Sequence, residues 1–184
     1  MRLRNSNQQW GGVAKSFHWL LAVLILAMFV LGWTAESYPM SPTKLKLFGL
    51  HKSTGLVILA LVVLRIAWRA FNPAPALPGD TSALERLLAH ATHWLLYVLM
   101  IVMPLSGWVI NSAADFPLKI YGWIRVPHIA PVSESLQSSA EAVHLTLFWI
   151  MALLVVIHVA AALWHHFARH DTILRRMLPF THLH

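Results

Sequence analysis

The stretch VHLTLFWIMALLVVIHVAAALWHHFARH, residues 143–170, decides how this chain reads. Between Leu145 and Ile157 it contains no charged side chain, and Thr146 is its one polar side chain apart from the Trp149 indole. About 20 apolar residues at 1.5 Å rise cross the hydrocarbon core of a bilayer. The stretch nevertheless carries His144 and His158. An ionisable side chain inside a span is costly and marks a site. The two histidines are 14 residues apart. On an α-helix that is about 21 Å of rise and only about 40° of rotation. One helix face therefore presents two imidazoles near opposite membrane surfaces.

Working outward, three further apolar runs match this one. The spans fall at about 17–35, 48–70, 89–111 and 142–168. The first is read as a span rather than a cleaved leader, because its apolar run is long and carries His18 and Trp33 at its ends. Composition agrees: 58% of the 184 residues are hydrophobic and 11% are charged, against about a quarter charged in soluble domains. The fold class expected is all-α, an integral membrane bundle of four transmembrane helices forming one domain over residues 1–184. Most of the tryptophans sit toward span ends, as an interfacial belt requires. Pro39 and Pro42 punctuate the first connection, and three prolines between Asn72 and Pro78 end the second span. Pro104 and Gly107 interrupt the third span, which predicts a kink. The longest connection, 112–139, is polar and is expected to carry a short surface helix.

The chain has 14 Lys plus Arg against 7 Asp plus Glu. These cations flank apolar spans, which speaks against nucleic acid as a partner. With the N-terminus inside, nine lie on the inner side (Arg2, Arg4, Lys15, Arg65, Arg69, Arg86, Arg169, Arg175, Arg176) and five outside (Lys44, Lys46, Lys52, Lys119, Arg125). The bias places both termini in the cytoplasm. Arg65 and Arg69 are read chiefly as marks of the cytoplasmic boundary. The absence of cysteine removes disulfides, thiolate metal sites, iron–sulfur clusters and covalent heme attachment. Metal chemistry then falls to the 12 histidines.

With that topology, His18, His93 and His158 lie near the inner ends of their spans, and His51 and His144 near the outer ends. His51 is the outer partner for His144. Depth alone leaves the inner partner of His158 open between His18 and His93. One histidine from each of two helices is how a bundle holds a b-type heme, and two such sites on one helix make an electron path. Gly55 and Ala160 to Ala162 are small residues that give a porphyrin room. His165 shares the face of His158 and is a fallback ligand. His90, His166 and His170 belong to the interface. His128 lies in the outer loop, and His182 and His184 in a polar tail.

The segments SFHWLLAVLILAMFVLGW (16–33), LHKSTGLVILALVVLRIAWR (50–69), HATHWLLYVLMIVMPLSGW (90–108) and VHLTLFWIMALLVVIHVAAALWHHFARHDTILRRML (143–178) resemble the bacterial cytochrome b561 family. That family is related to the cytochrome b subunits of formate dehydrogenase and nickel–iron hydrogenase. The resemblance extends from about residue 10 to 179. It implies a bacterial inner-membrane protein with two hemes b, His18 pairing with His158 and His51 with His144. His93 is then a non-ligand beside the inner heme. It also implies superoxide oxidase activity: superoxide is oxidised to dioxygen and ubiquinone is reduced. Lys44, Lys46 and Lys52 are placed to attract the superoxide anion. Candidates for contact with quinone or with the heme surroundings are Lys15, His93 and Trp94 on the inner side, and Lys52, Ser53, Trp108 and Trp123 on the outer. The alternative is an electron-transfer subunit between the quinone pool and a separate dehydrogenase or periplasmic reductase, a redox protein partner. The modest outer loop argues against that alternative.

Overall fold

A computed structural model describes residues 2–79, 81–179 and 181. His182 and His184 lie outside the described residues. Four long helices account for most of the chain: α1 (Gly12–Ser37), α2 (Pro42–Phe71), α3 (Ala83–Ala113) and α4 (Glu134–Phe167). All four are long and apolar enough to cross a membrane. A two-stranded hairpin, β1 (Leu118–Ile120) and β2 (Ile124–Val126), lies between α3 and α4, and a short α5 (Ile173–Met177) follows α4.

The helices extend beyond the apolar spans. They are 26, 30, 31 and 34 residues long, or about 39 to 51 Å at 1.5 Å per residue. The reason is local capping. Ser41 accepts from the Lys44 amide and is followed by Pro42 at the first helical position. Ser82 and Glu85 form a reciprocal capping box at the start of α3, and Ser133 accepts from the Leu136 amide to start α4. These polar caps satisfy orphan amides well outside the hydrocarbon. Hydropathy locates the span; the cap sets where the helix starts. Helix α3 continues unbroken through Pro104.

The core is a mid-bundle layer of Leu21 (α1), Ile58 and Val62 (α2), Leu99 and Met100 (α3) and Met151 (α4). Met151 is seven residues from both His144 and His158, so this layer lies midway between them. Outward-facing Val23, Leu26, Val30, Leu153 and Val156 stay uncovered by protein and meet lipid. Few residues in the apolar windows of α1 and α4 are fully buried by protein, as a bundle solvated by acyl chains allows.

The outer connection corrects one expectation: it carries a hairpin instead of a surface helix. Tyr121 and Gly122 both have positive φ, 47° and 82°, the turn that matches strand twist in tight hairpins. Leu118 faces Val126 and Ile120 faces Ile124. The Ser53 hydroxyl of α2 anchors the hairpin by accepting from the Tyr121 amide at 3.0 Å.

Candidate heme sites

The outer level joins α2 to α4. The His51 and His144 rings have centroids 6.3 Å apart and planes at 70°. Backbone glycine makes room at two places. A Cβ on Gly32 of α1 would stand 3.0 Å from His51 Cε1, and one on Gly107 of α3 would stand 3.5 Å from His144 Cε1. The His144 tautomer follows from hydrogen-bond counting. Ser106 Oγ donates to Met103 O at 2.8 Å, which uses the only hydroxyl proton. Ser106 therefore accepts from His144 Nδ1, also at 2.8 Å. Nδ1 carries the proton, and the Nε2 lone pair is left for a metal. His51 Nδ1 is buried and has no hydrogen-bond partner among the described residues.

The inner level joins α1, α3 and α4. The His18 and His158 centroids are 6.2 Å apart with planes at 60°. His93 comes closer to His158, at 5.1 Å and 84°, and its Nδ1 donates to Ala89 O at 2.5 Å. Arg65 points inward: its Nε donates to Tyr97 Oη at 3.0 Å, and Nη2 lies 3.5 Å from His18 Nδ1. Arg65 and Arg69 both lie over the Tyr97 ring, at 5.5 and 5.6 Å. Arg65 thus reaches the inner level, held by a ring and a hydroxyl.

These spacings allow a fit test for a hexacoordinate iron with two axial imidazoles. Metal–imidazole bonds of about 2 Å, plus about 1.1 Å from nitrogen to ring centre, put the two centroids about 6.2 Å apart. The His18–His158 and His51–His144 pairs meet that value. The His93–His158 separation is about 1 Å too short. Among the described residues no group of three or more His, Cys, Asp or Glu is placed to hold a metal ion. Each of the two histidine pairs would offer two imidazoles to a heme iron.

The remaining candidates are dispersed. Lys15 is buried and donates to Leu178 O at 2.8 Å, turned toward the C-terminal segment. Lys52 donates to Asn111 Oδ1 at 2.8 Å. Ser53 donates to Gly49 O at 2.7 Å as well as holding Tyr121. Trp108 Nε1 donates to Pro127 O at 2.9 Å. Lys52 thus ties α2 to the last turn of α3, while Ser53 and Trp108 fasten the connection after it. His165 Nδ1 pairs with Asp171 Oδ2 at 2.5 Å, which ties the fallback ligand to the turn before α5. The room beside the rings comes from Gly32 and Gly107, whereas a Cβ on Gly55 would meet Met28. Gly32 and Ser106 escaped sequence reading because each acts on a ring carried by another helix.

A membrane-spanning four-helix bundle with paired imidazoles at two depths is the architecture of a membrane cytochrome. The chain belongs to the prokaryotic cytochrome b561 family, whose family model matches residues 9–180. It is 34% identical over 179 residues to "Cytochrome b561 homolog 2" of Escherichia coli (strain K12), covering 97% of this chain and 95% of that protein. It is 30% identical to "Probable superoxide oxidase CybB" of Yersinia pestis, covering 88% of this chain and 91% of that protein. To "Cytochrome b562" of Cereibacter sphaeroides it is 26% identical, over 89% and 90% of the two chains. Family membership makes this a multi-pass bacterial membrane protein that binds heme b and transfers electrons.

Proposed function

We propose that the chain holds two hemes b, one between His18 and His158 and one between His51 and His144, and passes electrons from superoxide to ubiquinone. The observation that carries this reading is the recurrence of one centroid spacing, 6.2 and 6.3 Å, at two levels of α4. When bound, the hemes supply one-electron chemistry that the side chains lack. The protein's part is to fix ring orientation, exclude water and place the partners. Two superoxide anions each give up one electron and leave as dioxygen; ubiquinone takes the two electrons and two protons to become the quinol.

Lys44, Lys46 and Lys52 lie on the first turns of α2, close in sequence to His51, and favour approach of an anion at that end. The relative named a probable superoxide oxidase supports the same donor. The inner-membrane placement and cytoplasmic termini are part of this proposal, on the arginine bias. Of the quinone candidates, His93 is favoured. Its ring touches His158, its side is exposed toward the bilayer, and with Nδ1 donating to Ala89 O its Nε2 lone pair can accept a hydrogen bond from a quinol hydroxyl.

The test is to mix purified protein with superoxide, with and without ubiquinone, and follow heme reduction and quinol formation together. The proposal expects catalytic, quinone-dependent loss of superoxide. Heme reduction no faster than unaided disproportionation would remove superoxide as the donor. Ser106→Ala gives an independent check on the outer site. Losing a hydrogen bond that orients a ligating histidine costs about 10- to 100-fold in metal affinity. Transfer of heme to excess apomyoglobin should therefore be faster for that variant and confined to one of two hemes.

One observation favours the second reading, a subunit serving a separate redox protein. The hairpin tip carries exposed Tyr121, Trp123 and Ile124, with Trp123 90% exposed. The outer connection thus offers more of an apolar contact surface than its sequence suggested. If superoxide fails as donor, trimming this tip to Ser should abolish electron delivery from the partner while leaving both hemes bound.

A further inference from the structure

Residues 2–4 line two neighbouring, open pockets beside the amino end of α1. The first, about 360 Å³, is lined by Arg2, Arg4, Lys15, Gln8, Trp10 and Thr181 among others, with no acidic side chain among the described residues that line it. The second, about 370 Å³, is lined by Leu3, Gly12, Val13, Ser16, Phe17 and Leu20. The side chains alternate: Arg2 and Arg4 face the first cavity, and Leu3 faces the second.

This arrangement is built. The Gly12 amide donates to Arg2 O at 2.8 Å, and the Val13 amide to Leu3 O at 3.4 Å, so the segment closes the amino end of α1. Gly11 permits the contact, because a Cβ there would lie 2.4 Å from the Arg4 carbonyl carbon and Leu3 O. Lys15 is only 4% exposed. The partners of its ammonium among the described residues are neutral oxygens: Leu178 O at 2.8 Å, Thr181 O at 3.4 Å and Thr181 Oγ1 at 3.5 Å. A buried cation with two more cations around the same cavity is costly until an anion enters. Beside it, Val13, Phe17 and Leu20 form an apolar strip along α1 as that helix enters the hydrocarbon.

We propose that these paired cavities bind one anionic phospholipid, its phosphate against Arg2, Arg4 and Lys15 and an acyl chain along Leu3, Val13, Phe17 and Leu20. A free phosphate would use only the first cavity, and a neutral lipid only the second. The combination selects a molecule with both parts, as basic pockets at the membrane surface do. This inference stands apart from the redox reading, since none of these contacts involves a paired histidine.

The test is native mass spectrometry of delipidated full-length protein. It would be titrated with dioleoyl phosphatidylglycerol, dioleoyl phosphatidylcholine and inorganic phosphate. One phosphatidylglycerol should bind at least about 10-fold more tightly than phosphatidylcholine, and Arg2→Gln with Arg4→Gln should cost about 5-fold per arginine. The heme spectrum should be unchanged, because both arginines are exposed and remote from the rings. Equal binding of the two lipids, or no effect of the double substitution, would overturn the proposal. Inorganic phosphate binding as tightly as phosphatidylglycerol would overturn it too, and would identify a free-phosphate pocket.

Discussion

His158→Ala is expected to yield a folded chain holding one heme instead of two, and His144→Ala the other single-heme form. Both residues sit on α4, yet each faces a partner on a different helix, His18 on α1 and His51 on α2. An axial imidazole removed from one level leaves the other pair 14 residues away along the helix, about 21 Å. The mid-bundle layer around Met151 separates the two levels, so the losses should be independent. The same logic separates His18 from His93. His93 lies closer to His158 than His18 does, 5.1 against 6.2 Å, and the proposal gives the iron to the wider pair. His18→Ala should lose the inner heme. His93→Ala should keep it and instead slow quinone reduction. Heme content per chain, read from the pyridine hemochrome, checks all four variants. An inner heme that survives His18→Ala and leaves with His93→Ala would reverse the assignment.

Gly32→Leu should remove the outer heme alone. Gly32 belongs to α1, which supplies no ligand at that level. A single added Cβ would already stand 3.0 Å from His51 Cε1 and 3.3 Å from Nδ1. A whole isobutyl group must displace the ring or push α1 away, and small residues at membrane helix contacts exist to avoid this. Gly55→Ala is the control: its Cβ would meet only Met28 Cε, at an ordinary 3.7 Å. It should retain both hemes, with a helix slightly stabilised by the loss of a glycine. The optical spectrum and heme count of the two variants decide the matter. Equal heme loss in both would show that general packing, and not the space beside His51, is at stake.

The spans and the histidine set were legible because both signals are carried within a helix. Apolar run length reports a span without any knowledge of its neighbours. The spacing of His144 and His158 reports two depths on one face. The features that escaped depend on contacts between segments distant in sequence. The hairpin rests on Ser53, in α2, holding Tyr121; its one local sign was the Tyr121–Gly122 turn. Gly32 and Ser106 look like ordinary span residues, and each gains meaning only when α1 meets His51 and α3 meets His144. Arg65 read as a boundary charge because nothing local announces that Tyr97, 32 residues later, receives it.

The most direct measurement is the heme-to-chain ratio of the purified protein, taken together with its low-temperature electron paramagnetic resonance spectrum in the oxidised state. Two hemes per chain, both low-spin with two axial imidazoles, is the predicted result. A single heme, or a high-spin signal at full occupancy, would contradict the pairing of His18 with His158 and of His51 with His144.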